Sequence, residues 1–112
     1  MSFDPMAAAV DWLDAYRAGE IDTILEMYAD DAVIECGCGG MKIITGRDAL
    51  KAYWTTRLSR YPAYLLNDIR PSDGRIAISY ETTLGIVGAT MKFNRAGRIL
   101  RFSCGPQNEL RT

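Results

Sequence analysis

Apolar residues recur at helical spacing near the start of the chain. Met6, Ala9, Val10, Leu13 and Tyr16 fall on one stripe. Asp4 stands where a helix N-cap belongs, Pro5 follows at the first helical position, and Gly19 is a stop signal. A second helix is predicted from about Glu20 or Ile21 to Ala29. Its face is Ile21, Ile24, Leu25 and Tyr28, and Asp30-Asp31 ends it. The pattern then changes. Ala32 to Cys36 is a short β-rich run that Gly37, Gly39 and Gly40 break, and these glycines suit a flexible hairpin at the mouth of a pocket. Met41 to Thr45 reads as a second short strand. Gly46-Arg47-Asp48 opens a third helix that runs to about Tyr61, where Pro62 stops it. Its broad face holds Leu50, Tyr53, Trp54, Arg57 and Leu58.

The rest is strand-like. Tyr64 to Ile69 is one strand. From Arg75 to Thr83 the alternation is regular: Ile76, Ile78 and Tyr80 point one way, and Ala77, Ser79 and Glu81 point the other. Gly85 marks a turn and Ile86 to Asn94 forms the next strand. Asn94-Arg95-Ala96-Gly97 signals a hairpin, and Arg98 to Cys104 closes the sheet. The pattern predicts an α+β fold, a cone-shaped, bent, mostly antiparallel sheet with three helices packed on its concave face. The floor of such a cone is a natural pocket. The outward face should carry apolar residues that no helix covers, which calls for a homodimer.

Composition narrows the function. The 112 residues make one domain, 1–112, and 48% of them are hydrophobic, enough for a core without disulfides or metal. With 13 basic against 14 acidic residues, there is no excess of positive charge for nucleic acid. No apolar run is long enough to span a membrane, and the start lacks the basic and apolar regions of a signal peptide. The expected location is the cytoplasm. The odd set Cys36, Cys38 and Cys104 fits reduced thiols there. Histidine is absent, which removes Ser-His and Cys-His dyads and His-ligated metals.

Three stretches stand out. The first is Trp12-Leu13-Asp14-Ala15-Tyr16-Arg17-Ala18-Gly19-Glu20-Ile21-Asp22 followed by Met27-Tyr28-Ala29-Asp30-Asp31-Ala32-Val33. The second is Gly46-Arg47-Asp48-Ala49-Leu50. The third is Phe93-Asn94-Arg95-Ala96-Gly97-Arg98-Ile99. In order and over nearly the whole chain, they resemble the nuclear transport factor 2-like superfamily, including its SnoaL-like and ketosteroid-isomerase-like members. The resemblance implies a cystatin-like cone, a homodimer packed through sheet faces and one pocket per subunit. It implies no single activity, since such folds host isomerases, dehydratases, cyclases and epoxide hydrolases.

The chemistry of those relatives is mostly missing here. Ketosteroid isomerases use a carboxylate base and an oxyanion hole of a phenol and a protonated acid. By the resemblance, the phenol position falls at Trp12, the base at Cys36 and the acid at Ala89. An indole N–H can still donate, so Trp12 retains part of the phenol's role. Dehydratases of the scytalone type need histidine. Epoxide hydrolases of the limonene type need an Asp-Arg-Asp cluster, and Arg57 has no evident pair of aspartates beside it. Arg57 has two readings: inward-facing, or a rim residue with its stem on apolar surface.

Cys36 and Cys38 share a strand face, as do Phe102 and Cys104. The register implied by the resemblance points all of them inward. Small apolar packing competes with a thiolate, metal or redox role. Trp12, Tyr16, Tyr28, Tyr53, Trp54 and Phe102 supply rings for a flat ligand or simply for a core. Glu81 is a buried acid if its face is inward and a solvated or interface charge if outward. The expectation is a small-molecule-binding domain whose pocket is lined by Trp12, Tyr16, Cys36, Cys38, Tyr53, Trp54, Arg57, Ala89, Phe102 and Cys104. Its ligand is a small apolar molecule, and it needs no metal and no cofactor. The alternatives are a cofactor-independent isomerase, cyclase or dehydratase acting on a small apolar or polycyclic substrate, and a dimerisation module with a filled cone.

Overall fold

The computed structural model describes residues 3–37, 42–83 and 85–106. Helix α1, Pro5–Ala18, starts where Asp4 Oδ1 accepts the N–H groups of Met6 and Ala7 at 3.0 and 3.3 Å. It stops at Gly19, whose φ of 71° lets its N–H and that of Glu20 turn back to the last helical carbonyls. Helix α2 is Ile21–Glu26, strand β1 Tyr28–Cys36, strand β2 Lys42–Thr45 and helix α3 Arg47–Arg60. Four strands follow: β3 Ala63–Ser72, β4 Arg75–Thr82, β5 Gly85–Phe93 and β6 Ile99–Pro106.

The six strands form one sheet in the order β2-β1-β6-β5-β4-β3. Only β1 and β6 run parallel; the other neighbours are antiparallel. Asp73 and Gly74 both have positive φ and make the tight β3–β4 turn. The β5–β6 hairpin forms as the sequence indicates, and Asn94 Oδ1 accepts from the N–H groups of Ala96 and Arg98.

Register defines the two faces. One row of cross-strand partners is Ile78, Ala89, Cys104 and Cys36; the next is Ile76, Met91, Phe102 and Ile34. All eight are buried. Helix α1 lays Ala9, Trp12, Leu13 and Tyr16 on this side, and α3 adds Leu50, Trp54 and Arg57. The three-helix α+β architecture is therefore the one the sequence pattern predicts.

Two expectations are corrected. Helix α2 ends at Glu26, not Ala29, and Tyr28, Asp30 and Asp31 lie in β1. Tertiary bonds claim the carbonyls of this segment. The Met27 carbonyl accepts from Ile99 N–H at 2.8 Å, and Arg47 takes the Leu25 and Tyr28 carbonyls. The outward sheet face is also mixed and mostly polar at its centre. It presents Ile43, Glu35, Ser103, Thr90 and Ala77 in one row and Val33, Arg101 and Lys92 in the next. Its hydroxyls are paired, Thr90 with Ser103 at 2.7 Å and Ser79 with Asn67 at 2.9 Å. The exposed large apolar side chains lie at the margins of the sheet and beyond it: Ile43, the register partner of Glu35, on edge strand β2, Tyr64, Leu65 and Leu66 on edge strand β3, and Phe3 ahead of α1.

Candidate functional site

Trp12 is the hub of the inward face. Its ring lies edge-on or tilted against Phe102, Tyr16, Tyr80 and Trp54 at centroid distances of 5.3 to 5.8 Å. Such pairs contribute about 0.5–1.5 kcal/mol each beyond the area they bury. The helical spacing of Trp12 and Tyr16 brings both under the sheet, and Tyr16 meets Trp54 at 5.0 Å. The Trp12 indole N–H is already committed: it donates to the Tyr28 hydroxyl at 3.2 Å. It is therefore not an unengaged stand-in for the isomerase phenol. The Tyr16 hydroxyl donates to the Tyr61 carbonyl.

Arg57 enters this aromatic interior from α3. It is only 3% exposed, which overturns its reading as a rim residue. Its guanidinium carbon lies 5.8 to 5.9 Å from the ring centroids of Tyr16, Tyr53 and Tyr61. Nη2 donates to the Tyr80 hydroxyl at 3.4 Å, a long bond. Burial opposes its charge, while the neighbouring Tyr80 and Tyr53 oxygens and the Cys104 sulfur favour it, and the guanidinium stays protonated. Burial in turn pushes the Tyr53 and Tyr80 phenols well above theirs, so both stay neutral.

The thiols come next to this cation. Cys36 and Cys104 are register partners on the parallel pair, with sulfurs 3.9 Å apart. Cys104 Sγ also meets the Tyr53 hydroxyl at 3.5 Å. Ala89 is the cross-strand partner of Cys104 and is buried. Cys38, Gly39 and Gly40 lie outside the described residues. Glu81 is exposed on the outward side, so it is not an interior acid; the period-two alternation that turns Tyr80 inward turns Glu81 out. Among the described residues, no group of three His, Cys, Asp or Glu side chains is placed to hold a metal. No described helix is long and apolar enough to cross a membrane.

Residues 9–106 match the SnoaL-like domain. The chain belongs to the SnoaL-like family, within the nuclear transport factor 2-like superfamily. A SnoaL-like protein of unknown function from Burkholderia thailandensis has a similar fold. Its TM-score is 0.78 at 20% identity, with 89% of this chain and 92% of that chain covered. No curated protein matches.

Within this SnoaL-like cone, Tyr53 links the groups: it meets Trp54, Arg57 and Cys104, and Cys104 meets Cys36. Sequence reasoning counted Tyr28 among the inward rings, though on a helix and not on β1, and did not assign Tyr61 and Tyr80 to the site. The alternation of β4 already placed Tyr80 beside Ile76 and Ile78. Nothing in the sequence marked Tyr61. A depression of about 50 Å³ on the outward face, near Glu35, Arg75 and Arg101, has room for a few waters. The inward groups can stack on a flat body, donate hydrogen bonds and stabilise negative charge. A carboxylate base is not among them.

Proposed function

We propose that this SnoaL-like domain binds a small, largely apolar molecule against the inward aromatic face. The supporting observation is the polar set that shares that face with the rings, namely the Arg57 guanidinium, the Tyr53 and Tyr80 hydroxyls beside it and the Cys36 and Cys104 thiols. Burying such groups is costly, and a core serving stability alone would be built from aliphatic side chains. Trp12, Tyr53 and Trp54 provide stacking surface, and the polar tips orient the ligand.

The test uses Trp54→Phe protein, in which Trp12 is the single tryptophan, titrated with a neutral naphthalene probe. Trp12 emission should shift or be quenched with saturation. Unchanged emission at saturating probe would remove the proposal.

A second reading, a cofactor-independent isomerase, cyclase or dehydratase, draws on one observation: the Cys36–Cys104 pair sits beside Tyr53 and Arg57 at the place where isomerase relatives hold their base. The absence of an interior carboxylate among the described residues weighs against it. We further propose that two copies pair through β3, where Tyr64, Leu65 and Leu66 are exposed in succession. The odd cysteine count supports a reducing compartment, the cytoplasm.

A further inference from the structure

Arg57 poses a problem that ring packing does not solve. Taking a guanidinium out of water carries a penalty of several kcal/mol unless a counter-charge and hydrogen bonds offset it. The rings of Tyr16, Tyr53 and Tyr61 offset part of it. The one hydrogen bond, to Tyr80, is long, and Nε is buried with no hydrogen-bond partner. Among the described residues, no carboxylate pairs with Arg57; the ion pairs formed there, Arg17–Asp14, Arg47–Asp30 and Arg70–Asp68, involve other arginines. One helical turn earlier, Trp54 Nε1 is a second buried N–H with no hydrogen bond of normal geometry, although its dipole is felt at the Tyr28 hydroxyl. An i, i+3 spacing puts both donors on the same side of α3.

We infer that Arg57 and Trp54 form a site for an anionic oxygen, so that the ligand of the cone is a small aromatic or apolar carboxylate and not a neutral molecule. The inference rests on the binding function proposed above and names the head group that function requires. A planar guanidinium presents its N–H donors as a fork that matches a carboxylate. The apolar body of the ligand then lies against Tyr53 and Trp54. Tyr53 and Tyr61 are half-buried and flank the guanidinium, so a swing of either ring opens the way in. A buried water would satisfy Nε but leave the charge without a partner. A carboxylate satisfies both.

The experiment compares phenylacetate with phenylacetamide, its neutral isostere, on ¹⁵N-labelled full-length protein. The Arg57 Nε–H and Trp54 Nε1–H resonances are followed through each titration. Phenylacetate should shift both resonances and bind at least about tenfold more tightly than phenylacetamide. Arg57→Met should erase that preference, bringing the two affinities together, and Arg57→Lys should keep part of it. Because Arg57→Met removes a charge with no ionic partner, its unfolding midpoint without ligand should equal or exceed that of the wild type. Equal affinity for the two probes in the wild type overturns the inference, as does a preference that survives Arg57→Met. So does a marked loss of ligand-free stability in Arg57→Met, which would show the guanidinium to be satisfied internally. In each of these cases the binding function stands if the naphthalene probe still perturbs Trp12. If no probe perturbs either resonance or Trp12 emission, both fall together. Should Arg57→Met not fold, the wild-type resonances and Arg57→Lys decide the question.

Discussion

At the scale of residues, Tyr28 and Tyr80 tie stability to high pH. Both are fully buried, and burial raises both phenol pKa values above the ordinary 10.0. The unfolded chain releases these protons near pH 10.0 while the folded chain keeps them. Stability is therefore full below that pH and falls above it, by about 1.4 kcal/mol per group for each further pH unit. Urea midpoints should decline steeply above pH 10, and phenolate absorbance from these two rings should appear with unfolding and not before it. A phenolate signal assigned to Tyr28 or Tyr80 in the folded protein near pH 10 would contradict their burial. Single residues were unevenly legible in the sequence. The losses at Trp12, Cys36 and Ala89 could be read from residue type alone. The depth of Arg57 could not, because helical spacing fixes the side of a helix and leaves open how far a long side chain reaches. Glu81 shows the same gap for a strand: alternation separated it from Tyr80, and only packing decided which of the two faced in.

Among the elements, the joint between α2 and β1 depends on a residue from α3. Arg47 contacts Asp30 Oδ1 through Nε at 3.1 Å and Nη2 at 3.0 Å, and it also donates to the Leu25 and Tyr28 carbonyls. It supplies acceptors at the end of a short helix with donors that water would otherwise provide. Arg47→Ala should cost about 1–2 kcal/mol, discounted for its partial exposure, and Arg47→Lys should recover only a fraction because one ammonium cannot span the three acceptors. Denaturant midpoints check both, and equal stability of wild type and Arg47→Ala would refute the role. This joint is also where the sequence misled. Apolar residues at Ile21, Ile24, Leu25 and Tyr28 do fit a helix, but the competing bonds come from Arg47 and Ile99, distant in sequence. Elements with local signals were legible: the Asp4 cap, the Gly19 stop and the Asn94 hairpin all stand where the residues put them.

For the whole molecule, the distribution of exposed apolar surface is the informative feature. The paired hydroxyls and charges of the outward face leave little there for an apolar interface. Tyr64, Leu65 and Leu66, at 47%, 59% and 42% exposure, are consecutive on an edge strand. Sedimentation at micromolar concentration should give a dimer, and Leu65→Lys should shift it to monomer without lowering the unfolding midpoint by more than about 0.5 kcal/mol. A wild-type monomer under those conditions would remove the proposed pairing. The overall architecture was legible because it follows from element order and alternation. The polarity of the outward face was not, because threonine, serine and alanine fit either side of a strand.

The order of the strands also constrains how the chain matures. β6 is the last in sequence of the described strands but the third across the sheet, between β1 and β5. Until it is synthesised, the β1–β2 hairpin has no hydrogen-bonded link to the β3–β4–β5 meander. The emerging polypeptide therefore holds two unfinished half-sheets with open edges, and Cys36 waits for a neighbour 68 positions downstream. Closure of that long loop is entropically late. A ribosome stalled before Ile99 would carry a protease-sensitive chain, and release of the final strand would be the step that makes the domain resistant.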